Sequence, residues 1–409
     1  MIWHTHMLNP RAFLEDAMLA GLRSFWLTGM PWSLVHNAIT TDFEYRVSDD
    51  CKAQWVAKTG FSWDSADDPL VKAMKCPRCA VPIQIPWTTC GVAEDHKYAG
   101  DAPNLIGNGY GDGNLQFPCP NPSCHLVVCK EILSVAKFVA DTCALLAPVG
   151  RPMPGTILNP QSGKPEAPPR TEEEAARVPR MFPNRLLKSG CNQIRTKVVE
   201  IITAPCYYRA QPTMQNIRAE IEKILQDRSM VREIDAVPSS SQARYRLHAD
   251  ARISVRKMMS RYWDNFSPFA LDLCAAVMRQ GIFVEKMYKL DWLHSPSARA
   301  TMERLLTKYD RFVDIMAANP KHVAVPTLDV DLAWHTHQLS PSAYYHYAVL
   351  RTGRFVDHDD KIDEDTLSAH FEWTSKAYQD KYGEVYSECT CWYCEGICLP
   401  GQSPFLSVS

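Results

Sequence analysis

Apolar positions recur along most of this chain at the three-to-four-residue spacing of helices buried on one face. In 296–318, Met302, Leu305, Leu306, Tyr309, Val313 and Met316 form one such stripe, which reads as core. The same spacing predicts helices over 213–228, 243–264 and 268–289. Ser267-Pro268 and Ser295-Pro296 stand as capping pairs before the helices at 268–289 and 296–318. Around Trp334 the pattern sets Val330, Ala333, Trp334 and His337 on one face, and Asp331 with His335, four apart, on another. Strand-like character is confined to short runs such as Val81–Trp87. Residues 146–190 are broken by Pro, Gly and charge and read as a linker or surface excursion. The predicted fold class is mainly α with a small β insert.

Within the helical pattern one segment returns. Trp3-His-Thr-His-Met-Leu-Asn-Pro-Arg-Ala-Phe-Leu14 reappears as Trp334-His-Thr-His-Gln-Leu-Ser-Pro-Ser-Ala-Tyr-Tyr345. A match built on Trp and His, both rare, points to two copies of one unit. The downstream order agrees as well. After His6 come a helical run ending near Gly29, His36, Trp55 with Lys58, and Cys76-x-x-Cys79. After His337 come a run ending near Gly353, His358, Trp373 with Lys376, and Cys391-x-x-Cys394.

Asn9-Pro10 and Ser340-Pro341 each set an N-cap residue before a Pro at the first helical position, so helices are expected to start at Pro10 and Pro341. The histidine pair then falls in the last turn of a preceding helix, beginning near Thr327 or Asp329 in the second copy. Two histidines at i, i+2 on a helix point about 200° apart and would not hold one ion together. Two readings stay open. In the first, His337 and His6 are core histidines that bridge helices, and His335 pairs with Asp331. In the second, His335 or His337 joins His358 and an acid in a metal or acid–base site. His4, His6 and His36 are the counterparts in the first copy, where the equivalent of Asp331 would fall before Met1; the chain is expected to start inside its own first module.

Composition narrows the class. The 409 residues are 46% hydrophobic and 22% charged, with a net charge of −2; that balance leaves no electrostatic footprint for nucleic acid or an anionic membrane. No apolar run of membrane-spanning length occurs, and the start lacks the architecture of a signal peptide. The expected location is the cytoplasm, with the nucleus left open. Fifteen cysteines in such a chain point to reduced thiols and metal ligation rather than disulfides.

The cysteines cluster. Cys76-Pro-Arg-Cys79 and Cys119-Pro-Asn-Pro-Ser-Cys124 each precede a short β-like run. Two Cys-Pro turns feeding strands are the pattern of a zinc ribbon, in which each turn aims two thiolates at one structural Zn²⁺. Cys90 and Cys129 are substitute ligands, since the second turn is wider than usual. The tail carries Cys389, Cys391, Cys394 and Cys398, a second candidate metal cluster. Iron is the alternative metal, on the His-x-Asp pairs His248-Ala-Asp250 and His358-Asp-Asp360. Gly107–Gly113 lacks the Lys-Ser/Thr of a phosphate loop and reads as a loop inside the ribbon.

The segments Leu328-Asp-Val-Asp-Leu-Ala-Trp-His-Thr-His-Gln-Leu-Ser-Pro341, Tyr378-x-x-Lys-Tyr-Gly383 and Cys389-Thr-Cys-Trp-Tyr-Cys394, with Trp3-His-Thr-His-Met-Leu-Asn-Pro10 and Lys75-Cys-Pro-Arg-Cys79, resemble the fungal branch of the glycine-rich domain-containing protein-like family. The resemblance covers nearly the whole chain outside the Pro-rich stretch. It implies no established activity, and plant relatives are implicated in development and stress responses.

The expected organisation is a first helical His-motif module over 1–70, a zinc-ribbon insert over 71–145, a Pro-rich linker over 146–210, and a helical domain with the second module and Cys-rich tail over 211–398. The expected function is an intracellular zinc-binding scaffold or interaction protein with a protein partner. The alternative is a metal-dependent enzyme, an oxidoreductase or hydrolase, that uses His335, His337 and His358 with Asp331. The sequence names no small-molecule substrate.

Overall fold

The computed structural model describes residues 1–40, 42, 44–91, 106–167, 170–171, 174, 178–189, 194, 212–235, 245–263, 265–358 and 364–388. They are mainly helical, with two small antiparallel sheets of two strands each. The chain divides into two compact units, and the division does not follow chain order. One unit gathers Met1–Met30, Leu158–Ala167 and the chain from Phe269 onward; the other gathers Pro31–Ile157 and Pro168–Pro268.

The first unit contains two helix–corner–helix segments. Ile2–Met7 turns into Pro10–Leu19, and Leu328–Gln338 turns into Pro341–Thr352. The corner residue Asn9 has φ −118° and ψ 72°, and Ser340 has φ −117° and ψ 72°. Neither side chain caps the following helix. The following proline makes the turn instead: its ring crowds the preceding residue out of the α region and presets its own φ for a new helix. Each corner is closed by the same two bonds, Leu8 and Asn9 to the His4 and His6 carbonyls, and Leu339 and Ser340 to those of His335 and His337.

The run after Pro10 departs from the expected single helix. It stops at Leu19, bends at Gly21 (φ 69°), and resumes as Arg23–Thr28 before Gly29. Gly29 has φ 61°, and a Cβ there would come 2.6 Å from the Leu339 carbonyl oxygen, to which the Met30 N–H donates at 2.8 Å. Only glycine suits that approach. The second run ends as expected, at Gly353 in the left-handed region.

The long helix Ala298–Ala318 is the core element of this unit. Leu305, Tyr309, Phe312, Val313 and Met316 are buried on one face, against Leu328–Gln338, Pro341–Thr352 and Glu364–Tyr382. Leu306, expected in that stripe, is exposed. Ser295-Pro296 precedes a start at Ala298, and Ser267-Pro268 does not open a helix; the next one is Leu273–Leu290, capped by the Asp272 carboxylate. In the segment between Pro268 and that helix, the Ala270 N–H donates to both Asp16 oxygens at 2.9 and 3.0 Å. The same carboxylate bonds the His6 ring at 2.8 Å, with both side chains 7% exposed. Residues 254 apart in sequence are thereby joined.

The second unit holds the sheets and a helical core. Lys130–Leu146, Met214–Gln226, Arg228–Ile234 and Ala249–Ser260 contribute Phe138, Ile217, Ile221, Val231, Val255 and Met258 to one apolar cluster. The stretch read from sequence as a Pro-rich linker takes part in it. Met153, Phe182, Leu186 and Leu187 are fully buried in the same cluster. The prolines there punctuate a chain whose apolar side chains point inward, and polar groups are satisfied internally. Asn184 accepts the Met153 N–H at 2.8 Å, and Arg180 donates to the Thr156 carbonyl at 2.8 Å.

Truncating the buried carboxylate leaves two donors without their acceptor, at a cost of roughly 1–3 kcal/mol each. Asp16→Ala is expected to destabilise the first unit by about 3 kcal/mol in chemical denaturation. Hydrogen exchange is expected to accelerate in residues 2–19 and 270–290, while the Phe138 and Ile221 helices keep their protection.

Candidate metal centres

Two hairpins carry the first site. Strand β1, Val71–Lys75, pairs antiparallel with β2, Pro82–Pro86; β3, Phe117–Pro118, pairs with β4, Val127–Val128. The tip of each hairpin is a cysteine turn of one design. The Cys76 N–H donates to Val81 O and the Cys119 N–H to Leu126 O. The residue after the second cysteine takes positive φ in both, Ala80 at 58° and His125 at 53°. Such a turn folds the chain back sharply enough to set both sulfurs of a pair on one side.

The two pairs meet. Cys76 and Cys124 sulfurs are 3.8 Å apart, and those of Cys79 and Cys119 are 3.6 Å apart. All four lie within 4.8 Å of one another, and the group could hold a metal ion. A tetrahedron of Zn–S bonds near 2.3 Å has sulfur–sulfur edges of roughly 3.8 Å. All four are free thiols. Cys79 is held down at about 6, first by the Val81 backbone N–H, against burial and with help from the neighbouring sulfurs. Burial pushes Cys124 up to about 12 and Cys119 upward as well. Four thiolates this close cannot all ionise without a cation between them.

Cys90 and Cys129 do not join the group. Cys129 is the N-cap residue of Lys130–Leu146. The Cys90 sulfur accepts the Gly107 N–H at 3.1 Å and sits 3.5 Å from Asp112. Asp112 ties together chain on both sides of 92–105. It accepts from the Thr88 hydroxyl at 2.8 Å and from the N–H groups of Thr89 and Gly109 at 2.9 and 2.7 Å. This explains part of the glycine run, because a Cβ on Gly107 would come 2.1 Å from the Asp112 carboxylate. The Thr89 N–H is the leading cause that holds the Asp112 carboxyl down to about 2, from a usual 3.8, against the opposing effect of burial. No sequence signal marked Asp112, because its three partners are loop atoms brought together by the hairpins.

A second group of three could-be ligands lies in the first unit: Asp331, His335 and His358. Asp331 and His335, four apart on Leu328–Gln338, present one face. His358 arrives from the segment beyond Gly353, which is fixed by the buried Phe355 and by Tyr344. The Tyr344 hydroxyl accepts from Trp334 Nε1 at 2.9 Å and donates to the Val356 carbonyl at 3.0 Å, so it links the helix of His335 to the segment of His358. Burial pushes the Asp331 carboxyl up, but the adjacent His358 and His335 rings more than offset this, and it lies below the usual carboxylate range.

The remaining histidines go elsewhere. His337 points away from His335 and meets the Tyr309 hydroxyl through Nδ1 at 3.0 Å. Burial lowers the His337 pKa; a neutral ring can accept the phenol proton. The more deeply buried histidine of that pair is His335, where the sequence pattern had put His337 in the core. His6 bonds Asp16. Burial, with the chain's terminal amino group, lowers the pKa of His4. His36 is exposed on Trp32–Ala38, in the other unit. Among the described residues His4, His6 and His36 form no three-ligand group.

His248 caps Ala249–Ser260, its Nδ1 accepting the Asp250 N–H at 3.1 Å. Asp360 and the tail residues Cys389, Cys391, Cys394 and Cys398 lie outside the described residues. Sequence reasoning missed Tyr344 as a positioning residue. The available signal was the Phe13/Tyr344 difference between the repeated segments: Trp3 Nε1 is buried without a partner where Trp334 Nε1 has the tyrosine oxygen.

Residues 217–346 match the family profile described as glycine-rich domain-containing protein-like. Glycine-rich domain-containing protein 1 of Arabidopsis thaliana is 33% identical over 124 residues, 28% of this chain and 14% of that protein. Glycine-rich domain-containing protein 2 of the same plant is 28% identical over 123 residues, 28% of this chain and 15% of that protein. The matched stretch is thus a small part of either relative. No solved structure matches the chain. The family region includes Asp331, His335 and His337 and stops before His358; the four clustered cysteines lie outside it.

The lowered Asp112 carboxyl makes a pH prediction. Its stabilising effect is fully present above the unfolded value near 3.8 and is lost as pH falls through about 2. Wild type is expected to exceed Asp112→Asn in denaturant midpoint at pH 6, and the two midpoints converge towards pH 2. A constant difference across that range would mean that the charge plays no part.

Proposed function

The chain belongs, through residues 217–346, to the glycine-rich domain-containing protein-like family, and from that premise we propose that it is a zinc-binding scaffold or interaction protein. Cys76, Cys79, Cys119 and Cys124 hold one structural Zn²⁺ in a zinc ribbon. The observation that carries this reading is the convergence of two like-built cysteine turns, with sulfur separations of 3.6 and 3.8 Å, which match a ZnS₄ tetrahedron. Four protein ligands fill the coordination sphere, so the ion serves the fold and not catalysis. The repeated Trp-His-Thr-His segments are, in this reading, two copies of one helical corner, whose near-identical backbone angles support a common origin. A net charge near zero gives no overall attraction to nucleic acid, and a protein partner fits the reading better. Free thiols at the cluster suit a reducing compartment such as the cytoplasm.

Metal analysis of the purified full chain tests the ribbon. Cys76→Ser/Cys79→Ser is expected to lose one equivalent of zinc. It is also expected to lose hydrogen-exchange protection across β1–β4, which a chelator reproduces in wild type. Unchanged zinc content with protected strands would overturn the ribbon.

A further inference from the structure

We propose that Asp331, His335 and His358 bind a second, separate metal ion, a divalent first-row transition metal held by three protein ligands with its remaining positions open. His335 Nε2 and His358 Nε2 are 3.2 Å apart, and Asp331 Oδ1 lies 3.3 Å from the first and 3.5 Å from the second. A charge-assisted hydrogen bond from imidazole to carboxylate is shorter, near 2.7–2.9 Å. The other corner of this unit shows that bond, His6 to Asp16 at 2.8 Å. Two Nε2 atoms facing each other at such range share one proton at most.

A cation resolves the triangle. Metal–ligand bonds of about 2.0–2.2 Å, at the angles of tetrahedral or octahedral coordination, separate neighbouring donors by roughly 3.0–3.5 Å. The three measured sides all fall in or at the edge of that range. Two imidazole nitrogens and one carboxylate oxygen form a donor set suited to Zn²⁺, Fe²⁺, Co²⁺ or Mn²⁺ and poorly suited to Ca²⁺ or Mg²⁺.

The surroundings favour a built site over a chance meeting of side chains. Asp331 and His335 are fixed by one helix. His358 is fixed by the Tyr344 link and by Trp334, whose ring packs edge-on against it at 5.1 Å. The Phe283 ring covers His335 at 4.5 Å and shields that side from water. The side chains of Asp331 and His358 are 17% and 12% exposed, while Asp331 Oδ1, the oxygen that faces both rings, is buried. Three protein ligands leave at least one coordination position for water or a small anionic or carbonyl ligand, the arrangement of a Lewis-acid centre rather than of a structural one. His337, two residues from His335, takes no part.

The test is metal binding to the full chain after loading in turn with Zn²⁺, Co²⁺, Mn²⁺ and, without oxygen, Fe²⁺. Asp331→Ala and His358→Ala are each expected to bind one equivalent less than wild type, with unchanged helical content. His337→Ala is expected to keep it. Because the thiol ribbon is a different site, cobalt separates the two: the thiolate-to-cobalt absorption depends on Cys76 and Cys79, and the weaker bands of nitrogen- and oxygen-bound cobalt depend on Asp331 and His358. Azide is expected to shift the second set alone. Should Asp331→Ala lose its fold, Asp331→Asn keeps the side-chain volume and is expected to weaken cobalt binding at this site at least tenfold. Equal stoichiometry and affinity in wild type, Asp331→Asn and His358→Ala for all four ions would overturn the proposal, whatever the ribbon does.

Discussion

The buried carboxylate of Asp16 sets the plan of the first unit. By accepting from His6 and from the backbone of Ala270 it joins chain segments separated by 254 residues. Closing a loop of that length costs on the order of 5 kcal/mol beyond a constant term, so the tie has to be backed by apolar packing. It is backed by the fit of Ile2–Met7 against Leu273–Leu290 and by Phe13 and Met7 beside Leu339. In sequence, residues 31–157 and 168–268, which form the other unit, fall between segments of the first. Long-range pairs such as Asp16–Ala270 must wait for that closure.

Much of the helical pattern was legible because it rests on local physics. The corners at Asn9-Pro10 and Ser340-Pro341 follow from what proline does to its predecessor, and the structure has them at the positions read from sequence. The stripe of Leu305, Tyr309, Val313 and Met316 is buried as its spacing required. What escaped was tertiary. Ser267-Pro268 looks like a helix start on local grounds, but the helix begins at Leu273, and the chain before it is held by Asp16, far away in sequence. The Pro-rich stretch looks like a linker because proline and glycine dominate its composition. Its few apolar residues, Met153, Phe182 and Leu186 among them, nonetheless fill a core. At the sites, the spacing of Cys76, Cys79, Cys119 and Cys124 was readable, since the turn chemistry is local. The partnership of His335 with His358 was readable only as one of two options, because the Tyr344 link that brings them together has no signature in spacing.

The two corners show how one backbone hosts two chemistries. His6 and His337 stand at the same place in the repeated segment, and both rings pack edge-on against the aromatic residue seven positions later, Phe13 and Tyr344. The residue ten positions after the histidine then decides its partner. It is Asp16 in the first segment, where a direct hydrogen bond forms, and Tyr347 in the second, which turns to Asp310 and leaves His337 to Tyr309. The added hydroxyl of Tyr344 matters in the same way. It satisfies Trp334 and carries the order of the helix to Val356, two residues short of His358. The first segment has no such extension. The two corners share their backbone angles at Asn9 and Ser340 and differ in the partners that their side chains find.

The small sheets pose a different problem of stability. Two-stranded ribbons are marginal by themselves in water, and β3 and β4 pair over only two residues each. Their apolar cluster is small; Ile83, Ile85, Leu115, Leu126 and Val128 are its buried aliphatic members before the helix residues Ile132 and Leu133 are reached. The thiols lie inside that cluster, with Cys76 and Cys124 buried alongside those side chains. Burying four sulfurs that repel one another when ionised is unfavourable, and a bound cation reverses the sign of that interaction. With the sulfurs at the hairpin tips, where the chain already turns sharply at Ala80 and His125, an ion bound there would act at the ends of these short strands. The helices of the second unit have an extended apolar core and do not need it. The β region, by contrast, brings its two hairpins together at the four cysteines.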